Sequence, residues 1–266
     1  MSERSATPVV ILCGGQGTRM RGDTPTKKEL VEIGDRPILW HVMRIFSAHD
    51  FNHFVLALGY EGQQIKRYFL DYEALTRDAT LHIGGGDVAG RTVDFHGRAE
   101  HPQWHVSLRD TGLLTDKATR IALVADQLTT PRFFVTYGDG VGNVDLGALH
   151  RFHTGHGKLA TVTAVQVTFQ YGVIEADENG LATSIIEKPR LDHWVNAGFM
   201  LFERPVLELL SSGKVTDLER DLLPQLAAQG ELMLYRHRGF WRSMDTYKEA
   251  VLLEDLWQSS APWKMW

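Results

Sequence analysis

Six residues at the end of the first apolar run, Gly14-Gly15-Gln16-Gly17-Thr18-Arg19, are of the types that can hold a phosphate. Glycines let a backbone approach an anion closely and turn N–H groups toward it. Thr18 adds a hydroxyl and Arg19 a planar fork of donors. The Gly-Lys-Ser/Thr ending of a Walker A loop is missing, and the segment is not Gly-x-Gly-x-x-Gly, so a dinucleotide site is not indicated. On composition alone, an ordinary strand-ending turn fits the segment about as well. The next cations, Lys27 and Lys28, read equally as phosphate ligands or as a solvated charge run. Two acids have the chemistry of a hard-cation site, Asp139 in Gly138-Asp139-Gly140 and Asp245 in Met244-Asp245-Thr246. A Mg²⁺ ion takes one or two carboxylates beside phosphate oxygens and water. Taken singly, Asp139 also suits a tight turn, and Asp245 also suits the N-cap of a helix from Thr246.

These side chains need a scaffold, and the apolar pattern supplies one. Continuous apolar runs at Val9–Cys13, Phe54–Leu58 and Phe133–Tyr137 end in glycine-bearing segments and predict buried parallel strands. Between them, Ile38, Leu39, Val42, Ile45 and Phe46 have helical spacing after Pro37, and Glu61–Leu70 is helical in pattern. Further strands are predicted at Ala160–Val167, Ala197–Phe202 and Leu232–Tyr235, with helices at Leu146–Phe152, Leu218–Ala228 and Thr246–Trp257. Strand–helix alternation implies right-handed βαβ units and a mostly parallel sheet flanked by helices. The second half is richer in strand and predicts a β-rich extension of that Rossmann-like sheet. The glycine-bearing stretch from about Ile83 to Gly97 is the candidate mobile loop or hairpin. No internal repeat or linker divides residues 1–266, which predicts a single domain.

Composition narrows the class. The chain has 266 residues, 43% hydrophobic content and a formal net charge of −5. That balance argues against a nucleic-acid binder and against disorder. The single cysteine, Cys13, permits no internal disulfide and fits a reducing compartment. The polar start and the lack of any run near 18 apolar residues lead to the expectation of a cytoplasmic protein with no membrane association.

Taken together, several segments resemble the sugar-1-phosphate nucleotidyltransferase family, and within it the glucose-1-phosphate cytidylyltransferase branch. They are Gly-Gly-x-Gly-Thr-Arg after the first strand, Val31-Glu32-Ile33-Gly34, Pro37-Ile38-Leu39, Thr136-Tyr137-Gly138-Asp139-Gly140-Val141, Gly157-Lys158-Leu159-Ala160-Thr161-Val162, Glu187-Lys188-Pro189, Gly239-Phe240-Trp241, Met244-Asp245-Thr246 and Ala261-Pro262-Trp263-Lys264. The resemblance runs over nearly the whole chain. It implies the nucleotidyltransferase fold with its β-rich extension on the sugar side. It also implies CTP and a sugar 1-phosphate, glucose 1-phosphate first, as substrates, Mg²⁺ as cofactor, and a homo-oligomer. UTP or dTTP, another sugar, or a catalytically silent sensing subunit are the alternatives.

By resemblance, Asp139 and Asp245 hold the metal. Gly14, Gly15, Gly17, Thr18, Arg19, Lys28, Arg120 and Asp139 face the nucleotide. Tyr137, Gly138, Glu187, Lys188 and Asn196 face the sugar phosphate, with Arg19, Lys28 and Lys188 acting in catalysis. Departures from the family pattern are local. The lysine segment reads Thr26-Lys27-Lys28-Glu29-Leu30, without flanking prolines, which leaves Lys27 and Lys28 as rival phosphate lysines. Lys117-Ala118-Thr119-Arg120 replaces a Gly-Gly pair before the arginine, and Asn196-Ala197-Gly198 replaces Asn-Gly-Gly. Of the twelve histidines, His150, His153 and His156 are expected at the surface rather than on a metal. Trp263 and Trp266, in a tail too short for a core of its own, are expected to pack on a neighbouring subunit.

Overall fold

The computed structural model describes residues 3–17, 26–83, 92–97 and 103–266. Among the described residues, eight strands form the central sheet: β1 (Pro8–Cys13), β2 (His53–Leu58), β3 (His105–Asp110), β4 (Arg132–Tyr137), β5 (Ala160–Val165), β6 (Val195–Asn196), β7 (Met200–Glu203) and β8 (Leu232–Arg236). The order runs β3–β2–β1–β4–β7–β5, with β6 and β8 also on β5. β1 is parallel to β2 and β4, β2 to β3, and β5 to β8. β7 runs antiparallel to β4 and β5 and joins the extension to the parallel half.

Successive residues of β1 point to opposite sides, and both sides are apolar. Val9, Ile11 and Cys13 enter one core cluster, while Val10 and Leu12 enter the other. A strand buried on both faces reads as a continuous apolar run. Helix α1 (Ile38–Ser47) is buried along its whole length. The sheet covers one side of it and the C-terminal segment the other. The remaining principal helices are α2 (Gly62–Leu70), α3 (Lys117–Leu123), α4 (Leu146–His156) and α5 (Tyr247–Ser259). None of the helices among the described residues is long and apolar enough to cross a membrane.

Three expectations are corrected. The strand predicted over Ala197–Phe202 is broken. β6 pairs Ala164 with Asn196, β7 pairs Thr161 with Leu201, and the register slips by two residues between them. Gly198 (φ 77°) and Phe199 (φ 43°) carry the slip in the left-handed region, which a non-glycine residue rarely visits. Next, His150 and His153 are buried rather than on the surface. α4 turns them inward, where His153 meets Thr161 Oγ1 at 2.8 Å and Glu203 Oε1 at 3.2 Å. Burial holds His153 down to about 4. Finally, Trp263 is fully buried within its own chain, stacked on Phe240 and Trp257 at 5.7 and 6.1 Å. Trp266 lies edge-on to Trp40, with the Arg44 guanidinium 5.2 Å from its ring. The tail completes the covering of α1, so Trp263 supplies no free surface for another subunit.

Of the stretch from Ile83 to Gly97, residues 84–91 lie outside the described residues; Thr92–Phe95 within it pairs antiparallel with Ala79–His82. A second hairpin, Val173–Ala176 with Ala182–Ile186, stands off the sheet with nearly every side chain exposed.

Candidate active site

At the carboxyl ends of β1 and β4 a cleft of about 530 Å³ opens, lined by residues from Gly14 and Lys28 to Asn196 and Asp245. Open parallel sheets bind ligands at this end, where the strand order reverses. Here β1 has parallel neighbours on both sides, β2 and β4.

The centre of the cleft is a three-residue cluster. The Lys28 ammonium lies 2.6 Å from Asp139 Oδ2 and 2.7 Å from Asp245 Oδ1. Three elements deliver these groups. Lys28 begins a short 3₁₀ turn, Lys28–Leu30. Asp139 sits in the turn between β4 and the short strand Gly140–Gly142, and its carbonyl accepts from Met244 N at 2.9 Å. Asp245 precedes α5. Helix capping does not consume it, because Thr246 is the N-cap and forms a capping box with Glu249. Instead, the Asp245 backbone N–H donates to Glu249 Oε2 at 2.6 Å and Ser243 Oγ donates to Asp245 Oδ2 at 3.1 Å. The carboxylate is thereby oriented toward the cleft. Burial would push the Lys28 pKa down, but the Asp139 and Asp245 carboxylates outweigh it and the net shift is upward.

Two carboxylates meeting at one point, here on the Lys28 ammonium, are a donor set that fits Mg²⁺ with substrate oxygens completing the shell. Among the described residues, no group of three or more His, Cys, Asp or Glu side chains could hold a metal alone.

Lys27 and Lys28, rivals in the sequence, have separate places. Lys27 is only 3% exposed. It turns beneath the glycine loop and donates to Gly15 O at 3.0 Å. The alternative of two solvated lysines is therefore overturned by burial. The glycines also divide. A Cβ on Gly14 would lie 2.1 Å from Arg120 Cζ, whereas one on Gly15 would meet nothing within 4 Å. Gly14 is small because a guanidinium passes it, and Gly15 leaves the cleft open. Gly17 adopts φ 60°. Thr18 and Arg19 lie outside the described residues.

Arg120 lines the cleft, but its donors are engaged within the protein. Nη1 donates to Leu58 O (3.0 Å), Thr111 Oγ1 (2.6 Å) and Gly112 O (2.8 Å). Nη2 reaches Gly14 O and Leu113 O at 3.3 and 3.4 Å. One buried side chain thus ties together the loops after β1, β2 and β3.

On the opposite wall, Tyr137 Oη donates to Glu219 Oε1 at 2.5 Å and accepts from Asn196 Nδ2 at 3.1 Å. Lys117 Nζ also binds Glu219 Oε1, at 2.6 Å. Burial and the Glu219 carboxylate raise the Tyr137 hydroxyl well above its usual range. The bulge between β6 and β7 brings Asn196 and Ala197 to the cleft. It stays tight because a Cβ at Gly198 would lie 3.1 Å from the Tyr137 ring and because Trp241 Nε1 donates to Ala197 O at 2.9 Å. Bulges commonly re-aim side chains beside binding sites.

Three predicted residues lie apart. Gly138 faces away from the cleft, since its Cβ would strike Glu29 Cγ at 2.8 Å and Cys13 Sγ at 3.2 Å. Glu187 and Lys188 follow the exposed hairpin, with side chains 71% and 63% accessible and 3.9 Å from each other. Neither lines the cleft.

The sequence reading did not single out Glu219 or Trp241. Glu219 is presented by a π-helical turn, Leu218–Leu222, whose N-cap Asp217 accepts from Glu219 N and Arg220 N. Helical periodicity does not distinguish such a turn from an α-helix. Trp241 was legible only as part of Gly239-Phe240-Trp241.

Comparison with known proteins decides the family. The family profile described as nucleotidyl transferase matches residues 8–251. This chain belongs to the nucleotidyl transferase family. It is 40% identical over 261 residues to the glucose-1-phosphate cytidylyltransferase of Salmonella typhi, covering 97% of this chain and 98% of that one. It is also 40% identical over 261 residues to a probable glucose-1-phosphate cytidylyltransferase of Bacillus subtilis (strain 168), covering 97% and 99%. Among solved structures, HddC from Yersinia pseudotuberculosis superimposes with a TM-score of 0.68 at 18% identity, covering 94% of this chain and 99% of that one. That likeness supports the fold.

Proposed function

We propose that this nucleotidyltransferase couples CTP to glucose 1-phosphate, giving CDP-glucose and pyrophosphate. The observation that carries the chemistry is the convergence of Asp139 and Asp245 on one cation at the base of the cleft, beside the open Gly15. The choice of CTP and glucose 1-phosphate is supported by the 40% identity to cytidylyltransferases along nearly the full length of both chains.

In this reaction an oxygen of the sugar phosphate bonds to the α-phosphorus of CTP. The bond from that phosphorus to the bridging β-oxygen breaks, and pyrophosphate leaves. A phosphate monoester has its second pKa near 6 and is largely dianionic at neutral pH, so no general base is required. What must be supplied is alignment and positive charge. Asp139 and Asp245 would hold Mg²⁺, which would supply positive charge against the phosphates. Lys28, which lies on both carboxylates, would offer its ammonium to the triphosphate. Gly14, Gly15 and Gly17 with Thr18 and Arg19 form the phosphate cradle, and Arg120 holds that cradle in shape from beneath. Tyr137 and Asn196 bound the sugar side. Lys188 and Glu187 reach the sugar phosphate and its hydroxyls when their hairpin folds inward. Residues 1–266 act as one catalytic domain.

The test is pyrophosphate release with Mg²⁺ over a grid of CTP, UTP, dTTP, ATP and GTP against several sugar 1-phosphates. Release with CTP and glucose 1-phosphate is expected. Release with another pair alone would reassign the pockets, and binding of nucleotide without release would point to a sensing role.

A further inference from the structure

We propose that Lys27 and Glu29, the two chain neighbours of Lys28, form a buried ionic clasp that positions the catalytic segments of the cleft. Their types alone do not suggest this, because adjacent charges in a loop usually face water. Here both side chains are almost wholly enclosed, Lys27 at 2% and Glu29 at 8% accessibility, with Lys27 Nζ 3.2 Å from Glu29 Oε2. Glu29 Oε2 has no aligned hydrogen bond, so the contact is ionic. Burying two charges is costly, and such a pair seldom stabilises a fold more than apolar residues of the same size would. Its presence therefore calls for a role other than stability.

The contacts supply that role. Lys27 Nζ donates to Gly15 O at 3.0 Å and fixes the open glycine of the phosphate loop. Lys27 N donates to Gln64 Oε1 at 3.0 Å, which anchors the segment to α2. Glu29 packs its Cγ where a Cβ of Gly138 would be, 2.8 Å away. It thus abuts the turn that carries Asp139. The pair spans the glycine loop on one side and the Asp139 turn on the other. Lys28 is held between them with its ammonium on both carboxylates. Lys27 does not line the cleft and Glu29 does; the pair acts through Gly15, Lys28 and Asp139.

The clasp rests on the nucleotidyl-transfer function proposed above, and its test separates the two. Lys27→Met, Glu29→Leu and the double variant are compared with the unaltered protein by melting temperature, by kcat and KM for CTP, and by hydrogen–deuterium exchange of the peptide containing Gly15. Each single variant strands one buried charge and should melt roughly 10 °C lower. The double variant should recover most of that loss, since two apolar side chains replace the pair. Its KM for CTP should nevertheless stay raised about tenfold, as expected for loss of one charged hydrogen bond, with faster exchange at Gly15. Full recovery of melting temperature, KM and exchange in the double variant would overturn the proposal and leave only an ion pair of the core. Unaltered protein without turnover on any nucleotide would sink the proposed function, while the exchange readout would still decide the clasp.

Discussion

The base of the cleft and the exposed hairpin both carry predicted functional residues, and they differ in how those residues are held. Lys28, Asp139 and Asp245 come from three segments anchored in the core and already converge within 2.7 Å of one point. Glu187 and Lys188 follow a two-stranded hairpin off the central sheet, and their side chains face solvent. An isolated two-stranded hairpin is at best marginally stable in water. The base of the cleft is thus preassembled by packing, whereas the proposed roles of Glu187 and Lys188 would require their hairpin to move. In the proposed function, alignment of two anionic substrates is the costly step, and part of the binding free energy would be spent on that movement.

Mutations at the two regions should separate accordingly. Asp139→Asn or Asp245→Asn should lower kcat by about 10²–10³-fold or more, with melting unchanged within a few degrees. Near-normal turnover in either variant would break the assignment of the cleft base. Arg120→Met, which orphans several buried carbonyls, should destabilise the chain by roughly 3 kcal/mol and raise KM for the nucleotide; chemical denaturation and steady-state kinetics check both. Lys188→Ala should lower kcat about 10–100-fold, the worth of a charged hydrogen bond, with no change in melting because the side chain is exposed. A rate equal to that of the unaltered protein would show that the hairpin never closes on substrate.

The smallest effect concerns a residue in neither region. Burial lowers the His41 pKa to about 4, against the opposing pull of the Ile33 carbonyl. Nδ1 accepts from Trp263 Nε1, so Nε2 carries the proton and donates to Ile33 O at 2.9 Å. The unfolded chain has the ordinary value near 6.5 and binds the proton first as pH falls. Stability is therefore complete above about pH 6.5 and is lost toward pH 4, by up to about 1.4 kcal/mol per pH unit. His41→Gln should flatten the melting temperature's dependence on pH over that window. An unchanged slope would remove His41 from the acid response.

Legibility in the sequence follows the same division. β1, β2 and β4 were readable because strands buried on both faces need unbroken apolar runs, and their ends located Gly14 and Asp139. Asp245 was readable only as a cap or a ligand. The ambiguity dissolves because Thr246, with Glu249, is a better cap one residue on. Lys27 stayed open between a phosphate ligand and a solvated lysine because a charge run carries no local mark of burial; its enclosure depends on Gly15, Glu29 and Gln64, which lie 12, 2 and 37 positions away. The bulge at Gly198 and Phe199 was also invisible, since β-branched and aromatic residues on both sides continue a strand pattern. Trp263 was assigned outward from its place in a short tail, but α1 is buried along its whole length and required a cover.

The most direct test of the central claim is Mn²⁺ binding followed by electron paramagnetic resonance, with CTP present, in the unaltered protein and in Asp139→Asn/Asp245→Asn. Mn²⁺ serves as the spectroscopic substitute for Mg²⁺. Tight binding that requires both the nucleotide and the two carboxylates is the expected result. Equal Mn²⁺ affinity in the double variant would contradict it and place the metal elsewhere in the cleft.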